Sequence, residues 1–582
     1  MVGDGTMGPC GIYGVILRHR KADPADLIAM GNPPSHEPFL CDQVAFGPSF
    51  RSGRIAVQWD GEVYNGASLR RGLDLPRDAP PAMVVLRGWK KEGRSFLQRI
   101  NGPFALALLD HDDGTWTLAR GRQGLRPLYW YDSPEGIAFA RDIPTLFRCP
   151  WTRRRPNWEK IPEYMVFDHV AGGDTLYQDV RELLPGQVLS GSLRHCQVSL
   201  ETLPDPVPSP SSGAVDDELL FQEAAEKLLS ATARLWGRDP GDGPALFLSG
   251  GVDSALLAGC IKRVSRAAGV LCLTVTCPGF RHDESLHARI IRDSLGLPGV
   301  EVELDPHLFA HAWQRCVRSL QAPLTSTNQV PWWILCEVAR QRGSEVAYSG
   351  EGADGWFSGG LYEEEREGLW RLWEDDPDLV ASRIIFCKSH CLNDPELVKA
   401  VVTLPIDIIP RRKIWEALRE EGAGASPDDL MVLYHVRTTG HRLLTRADLA
   451  ASCYGLRLRL PYLEAKWLAW VRSLPYTVRN RNGIRKRPVK ALCAALLGQD
   501  FAYRRKVGFT FPVRTWLRDA PNPLLRRWRE MLLEPRTLER PVFRRDALEQ
   551  QILLRLQGVV RPADWLLWSL VNLELWLREI GQ

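Results

Sequence analysis

Residues 244–258, Pro-Ala-Leu-Phe-Leu-Ser-Gly-Gly-Val-Asp-Ser-Ala-Leu-Leu-Ala, most restrict what this chain can fold into. The apolar run Ala245 to Leu248 reads as a buried strand. Ser249, Gly250 and Gly251 read as a tight turn, and an apolar helix starts with Asp253 and Ser254. A strand ending in glycines and feeding a helix has the physical parts of a phosphate site. Glycines let the backbone approach an anion, amides point at it, and the helix start adds partial positive charge. The G-x-x-x-x-G-K-[ST] loop is absent here, so this is a different solution to the same problem. An ordinary strand-to-helix turn also uses Gly-Gly and Asp, so the loop needs corroboration from elsewhere in the chain.

That corroboration lies about a hundred residues on, in Ser349-Gly350-Glu351-Gly352-Ala353-Asp354. Strand and helix candidates alternate between the two loops: Val270 to Thr276, the helix Glu284 to Leu295, and the short strand Glu345 to Ser349. Such alternation predicts an α/β unit with a parallel sheet covered by helices. Ligands in these sheets sit at the carboxyl ends of the strands, so the two loops are expected to share one cleft. Upstream, Asp216 to Trp236 has apolar residues at helical spacing, and 203–215 is a Pro/Ser-rich linker. Before the linker, short strands alternate with turns, which predicts a mostly β unit with helices packed on it. The expected organisation is a first domain over 1–202, the linker, and a second domain over 216–582.

With 582 residues, two or more cores are expected. A net charge of +4 on a chain of this size argues against a nucleic-acid partner, which calls for a concentrated basic face. The 13 cysteines are scattered without C-x-x-C or zinc spacing, and no apolar signal segment opens the chain. Reduced thiols and a cytoplasmic location are therefore expected. No apolar run reaches the ~18 residues of a membrane span. The arginines of 521–549 are read as a solvated helix face, and most of the 21 tryptophans as core.

Ser-Gly-Gly-x-Asp-Ser resembles the pyrophosphate loop of enzymes that split ATP between its α and β phosphates. Gly-Glu-Gly-Ala-Asp at 350–354 is similar to the matching loop of the asparagine synthetase family. The resemblance continues through Arg446-Ala447-Asp448, Leu458-Arg459-Leu460-Pro461-Tyr462-Leu463-Glu464, and Arg504-Arg505-Lys506-Val507-Gly508-Phe509. It ends in the closing stretch Leu566 to Leu577. It departs where Gly355 stands for the usual Glu, Ala255 for Ser or Thr, and Arg457 for Glu. The resemblance implies ATP and Mg²⁺ as cofactors. ATP would be held by Phe247, Ser249, Gly250, Gly251, Asp253, Ser254, Val275, Ser349 and Gly350. Nucleotide-bound Mg²⁺ typically uses one or two protein carboxylates, and Asp253 and Asp354 are the expected pair. A turn carboxylate bonding its own backbone is the competing account of Asp354. Lys506 is the expected catalytic cation, because both adenylation and aminolysis gather negative charge on oxygen. Glu351 is expected either to take a proton from the attacking amine or to brace its loop.

The first two hundred residues resemble the glutaminase domain of the same family, an N-terminal-nucleophile fold. The matching segments are Cys10-Gly11-Ile12, Trp59-Asp60-Gly61-Glu62 and Asn101-Gly102-Pro103-Phe104. In the family, a cysteine at the mature N-terminus is the nucleophile and its α-amine the base. Nine residues precede Cys10. Asp60 replaces the Asn of the oxyanion-hole Asn-Gly pair, and an anionic side chain stabilises a developing oxyanion poorly. Pro80-Pro81-Ala82-Met83 aligns where the family has the Asp that holds the glutamine amine. No equivalent of the family's substrate-binding Arg is found between Cys10 and Asp60. Cys10, Asp60 and Gly61 are thus read as a vestigial glutaminase site.

An adenylating amide ligase without glutaminase takes its nitrogen from ammonia or from the substrate itself. Two branches of the family do the latter, one closing β-lactam rings and one closing the macrolactam of lasso peptides. β-Lactam synthetases carry Tyr where Glu351 stands. The leading expectation is a lasso peptide cyclase joining a peptide's N-terminal amine to an Asp or Glu side chain. Its partners would be a leader-processed precursor peptide with its protease and leader-recognition proteins. An asparagine synthetase-like amidotransferase is the runner-up, followed by β-lactam formation. A nucleotide-binding protein without turnover is disfavoured by the retention of Asp253, Asp354 and Lys506.

Overall fold

The computed structural model describes residues 11–22, 27, 30, 39–41, 43–47, 49–194, 198–205, 216–236, 243–265, 269–358, 366–367, 369, 377–422, 425–505, 507–559 and 564–582. Cys10, Lys506 and most of the 203–215 linker lie outside the described residues. The chain divides into two compact units. The first comprises Met1–Asn157, Gly172–Asp205 and Ser319–Ala322, the second Trp158–Ala171, Pro206–Arg318 and Pro323–Gln582.

The described strands of the first unit are β1 (Tyr13–Leu17), β2 (Phe39–Cys41), β3 (Val44–Phe46), β4 (Phe50–Ser52), β5 (Ile55–Gly61), β6 (Phe104–Asp110), β7 (Thr115–Arg120), β8 (Tyr129–Ser133), β9 (Gly136–Ala140), β10 (Val180–Glu182), β11 (Gln187–Ser192) and β12 (Val198–Thr202). They form two six-stranded sheets, ordered β10-β8-β9-β1-β3-β2 and β12-β11-β7-β6-β5-β4. Ile16, Val44, Phe46 and Phe139 of the first sheet pack against Ala107, Leu109, Trp116 and Leu118 of the second. β6 is apolar through Leu109 and is buried along its whole length. Strand alternation turns Leu106 and Leu108 to the opposite face, where helix α1 (Pro81–Glu92) covers them with Val85 and Leu86. This α+β sandwich is the architecture expected of the first domain.

In the second unit, β13 (Ala245–Phe247), β14 (Leu271–Thr276), β15 (Gly299–Glu303), β16 (Val346–Ser349) and β17 (Arg457–Arg459) form one sheet ordered β15-β14-β13-β16-β17. Every pairing in it is parallel. Strand order runs outward from β13 to β15 on one side and from β16 to β17 on the other. The reversal between β13 and β16 is a topological switch point, where a crevice opens at the carboxyl ends. The helices that matter for the site are α2 (Val252–Ser265), α3 (Ser285–Leu295), α4 (Ala353–Ser358), α5 (Arg487–Leu497) and the closing α6 (Leu566–Glu579).

The segment 158–171 falls in the second unit, although the sequence reading put it in a domain spanning 1–202. Buried polar pairing accounts for its place. Arg411 Nε lies 2.8 Å from the fully buried Glu163 Oε1, and Asn572 of α6 donates to Tyr164 Oη at 2.9 Å. Trp568 of α6 stacks on Trp313 with ring centroids 4.2 Å apart, and both are fully buried. The surface arginines Arg527 and Arg545 pair with Glu534 and Glu539, as a solvated face would.

Candidate active site

The loop after β13 is held shut by its own hydroxyls. Ser254 Oγ donates to the Gly251 carbonyl at 3.0 Å, and Ser249 Oγ accepts from the Gly251 N–H at 3.3 Å. Thr274 Oγ1 on β14 donates to the Leu248 carbonyl at 2.8 Å and so fixes the strand's end. Gly250 has φ +81, and a Cβ there would lie 2.6 Å from the Glu284 carbonyl. Only glycine satisfies both demands. α2 then starts with Asp253 in its first turn, directing its N-terminus at the crevice.

The loop after β16 lies directly against this one. A Cβ on Gly350 would stand 3.1 Å from the Ser254 nitrogen and 3.2 Å from Asp253 Cβ. Ser249, Gly250, Gly251, Asp253, Ser254, Ser349 and Gly350 are thereby brought together at the switch point. Phe247 is buried edge-to-face against Trp332, with centroids 5.1 Å apart, so it supports the strand from within the core.

Asp253 and Asp354, one from each loop, converge on one cation. Lys486 Nζ lies 2.5 Å from Asp253 Oδ2 and 2.7 Å from Asp354 Oδ1. Lys486 is 3% exposed and precedes α5 in the left-handed conformation, φ +53. Burial alone would lower the pKa of its ammonium, but the two carboxylates outweigh burial and hold it above the usual range. The pair fits Mg²⁺, since carboxylate oxygens from two loops already share one positive charge and are hard donors. Among the described residues no group of three or more His, Cys, Asp or Glu forms another metal centre.

A shallow cleft opens beside the first loop, lined by Ser249, Val275, Cys277, Glu284, Gly508 and Phe511 among others. Asp283 braces its rim by accepting from the Thr276 hydroxyl and the Cys277 N–H, each at 2.9 Å, and from the Ser285 N–H at 2.8 Å. Arg504 donates to the Gly250 carbonyl at 2.5 Å and lies 3.2 Å from Glu284 Oε1. Gly508 lines this cleft directly, whereas Arg504 meets it through its contact with Glu284. Glu351 Oε2 lies 3.8 Å from Arg446 Nη2, and Arg446 in turn donates to Ser326 Oγ at 2.8 Å. The guanidinium is nine-tenths buried or more, so Glu351 has a fixed positive neighbour.

In the first unit, Asp60 and Gly61 end β5. Arg141 Nη1 lies 2.6 Å from Asp60 Oδ2, and Arg126 Nε lies 3.6 Å from Asp60 Oδ1. A Cβ on Gly11, the residue after Cys10, would sit 2.7 Å from Asp60 Oδ2. Pro80 precedes the first turn of α1, which contains no acidic residue.

Sequence reading missed Lys486, Arg141 and Arg126. Lys486 sits in Arg481-Asn482-Gly483-Ile484-Arg485-Lys486-Arg487, where nothing separates it from its cationic neighbours. A partner for Asp60 was the only available signal for the other two, since a buried carboxylate calls for a cation.

The asparagine synthase family description matches residues 242–578, and a glutamine amidotransferase domain matches 47–200. Asparagine synthetase [glutamine-hydrolyzing] 1 of Bacillus subtilis is 22% identical over 584 aligned positions, covering 89% of each chain. A putative asparagine synthetase [glutamine-hydrolyzing] of Mycobacterium bovis is 24% identical, covering 83% of this chain and 78% of its own.

Proposed function

This chain belongs to the asparagine synthase family and is an ATP-dependent carbon–nitrogen ligase; we propose that it closes a macrolactam of the lasso-peptide type. On this reading a peptide carboxylate is adenylated, and the N-terminal amine of the same peptide displaces AMP. The supporting observation is the commitment of Asp60 to Arg141 in the first unit. With that carboxylate in the oxyanion-hole position and no acid at the start of α1, glutamine is not the nitrogen source. An amine already on the substrate supplies it.

The chain's own residues divide the work. The amides of Ser249 to Gly251 and the start of α2 hold phosphate oxygens of ATP. Asp253 and Asp354 would hold Mg²⁺, which neutralises phosphate charge when bound. Lys506 is assigned the charge that builds on the α phosphate and then on the tetrahedral carbon's oxygen. Glu351, oriented by Arg446, receives the proton that the amine sheds. The peptide would arrive already cut by a leader protease and delivered by a leader-recognition protein.

The relatives' names favour a second reading, an asparagine synthetase-like amidotransferase that uses ammonia or glutamine. The two are separated by substrate. With a leader-processed peptide and ATP, macrolactam closure gives a product lighter by one water, with AMP and pyrophosphate. Brisk asparagine formation with no peptide dehydrated would replace the first reading by the second.

A further inference from the structure

We propose that Lys486 is a resident counter-cation for the Asp253–Asp354 pair, and that lysine and divalent metal exclude each other there. The consequence is that metal enters only together with phosphate. The proposal rests on the assignment of that pair as the metal ligands.

Three observations carry it. One ammonium lies within 2.7 Å of a carboxylate oxygen from each loop, which is the place where a metal would bind both. A metal at bonding distance from the same oxygens would leave no room for Nζ and would repel its charge. The backbone of Lys486 is also fixed. Its N–H donates to Asn480 Oδ1 at 3.0 Å, and Asn480 Nδ2 donates to the Phe357 carbonyl at 2.6 Å. Phe357 lies in α4, the helix that carries Asp354, so lysine backbone and carboxylate share one frame. Finally, α5 begins at Arg487, directly after the lysine. What is left to move is the four-carbon side chain with its rotatable ammonium.

Charge then dictates the order of events. Two carboxylates and one ammonium leave a single negative charge, a weak site for a bare divalent cation. Phosphate oxygens arriving on the neighbouring amides offer the ammonium a new partner. The carboxylates are then released to the metal that travels with the nucleotide.

Mn²⁺ titration of the nucleotide-free full chain, read by electron paramagnetic resonance, tests this. Wild type should bind Mn²⁺ weakly at the pair, and Lys486→Met should bind it about tenfold or more tightly. Lys486→Arg, which keeps the charge, should behave as wild type. Adding Asp354→Asn to Lys486→Met should abolish the gain. Thermal melting gives the same answer for a variant of reduced stability: Mn²⁺ should raise the Tm of Lys486→Met and leave wild type unmoved. Equal Mn²⁺ affinity in wild type and Lys486→Met overturns the proposal, as does a gain that survives Asp354→Asn. Neither readout involves ATP or product, so absence of amide formation would sink the proposed reaction without touching this result.

Discussion

Arg141 Nη1 stands 2.6 Å from Asp60 Oδ2, and the two side chains are 6% and 16% exposed. An ion pair this enclosed is not available to polarise a glutamine carbonyl. Purified protein should therefore release no glutamate from glutamine above background. Asp60→Asn should not restore hydrolysis, because α1 still lacks an acid in its first turn. It should destabilise the first unit, since it removes the carboxylate charge that faces two enclosed guanidinium groups. Urea unfolding reads the stability and a glutamate assay the chemistry. A stable, glutamine-hydrolysing Asp60→Asn protein would show that the pocket differs from wild type by one side chain only.

Asp253→Asn and Asp354→Asn should each lower pyrophosphate release by ~10²-fold or more while the chain stays folded. Asp354 is half-exposed, so its loss removes little packing. Circular dichroism checks the fold, and a coupled pyrophosphate assay checks turnover. Normal turnover in either variant would remove that carboxylate from the metal pair.

The parts of this molecule that were legible from sequence are those where backbone geometry forces residue choice. Gly250 and Gly350 stand where any side chain would strike another loop, so the two phosphate-side loops announce themselves. The parallel sheet follows from alternating strand and helix periods between 245 and 349. Lys486 was not legible, because its importance comes from meeting Asp253 across 233 residues of chain and not from its neighbours. The helix Ile161–Phe167 is hard to assign to a unit from sequence for a related reason. Its apolar composition fits either unit, and its buried polar partners, Arg411 for Glu163 and Asn572 for Tyr164, belong to the second.

His169 supplies a pH dependence. Burial first, then the positive charges of Arg411, Arg442 and His441, hold its imidazole well below the usual range. The folded chain keeps it neutral, whereas the unfolded chain protonates it below about pH 6.5. Its contribution to stability is therefore complete above that pH and is lost as pH falls toward the folded-state value. The loss has a limiting slope of about 1.4 kcal/mol per pH unit. Melting curves between pH 7 and 5 should fall less steeply for His169→Gln than for wild type. Parallel curves would mean that the imidazole is protonated in the fold.

Lys506→Ala should leave ATP binding largely intact, because the glycine loop and the carboxylate pair remain. Product formation should drop by ~10²-fold or more, a typical loss for one preorganised charge. Lys506→Arg should not recover it fully, since a planar guanidinium does not replace a compact ammonium. Single-turnover measurements separate the two steps. A variant that forms product at the wild-type rate would return the role to a neighbouring cation such as Arg504, which already touches the Gly250 carbonyl.

Gly350→Ala tests whether the contact between the two loops matters for chemistry as well as for packing. The added methyl would lie 3.1 Å from the Ser254 nitrogen and 3.2 Å from both the carbonyl carbon and Cβ of Asp253. These are tight contacts with backbone at the start of α2, which cannot rotate away as a side-chain tip could. No positive φ is involved at Gly350, so the cost is one of space and not of strain at the residue itself. The least costly relief is a shift of a few tenths of an ångström between the loops. Such a shift moves Asp354 relative to Asp253 and degrades a geometry on which metal and phosphate both depend. The expected outcome is a protein within ~1–2 kcal/mol of wild-type stability whose pyrophosphate release is lower by ~10-fold or more. Gly355→Ala is the control. The nearest atom to a Cβ there is 3.8 Å away, so both quantities should stay near wild type. If Gly350→Ala turns over normally, the loops tolerate relative movement and the switch-point contact serves folding alone.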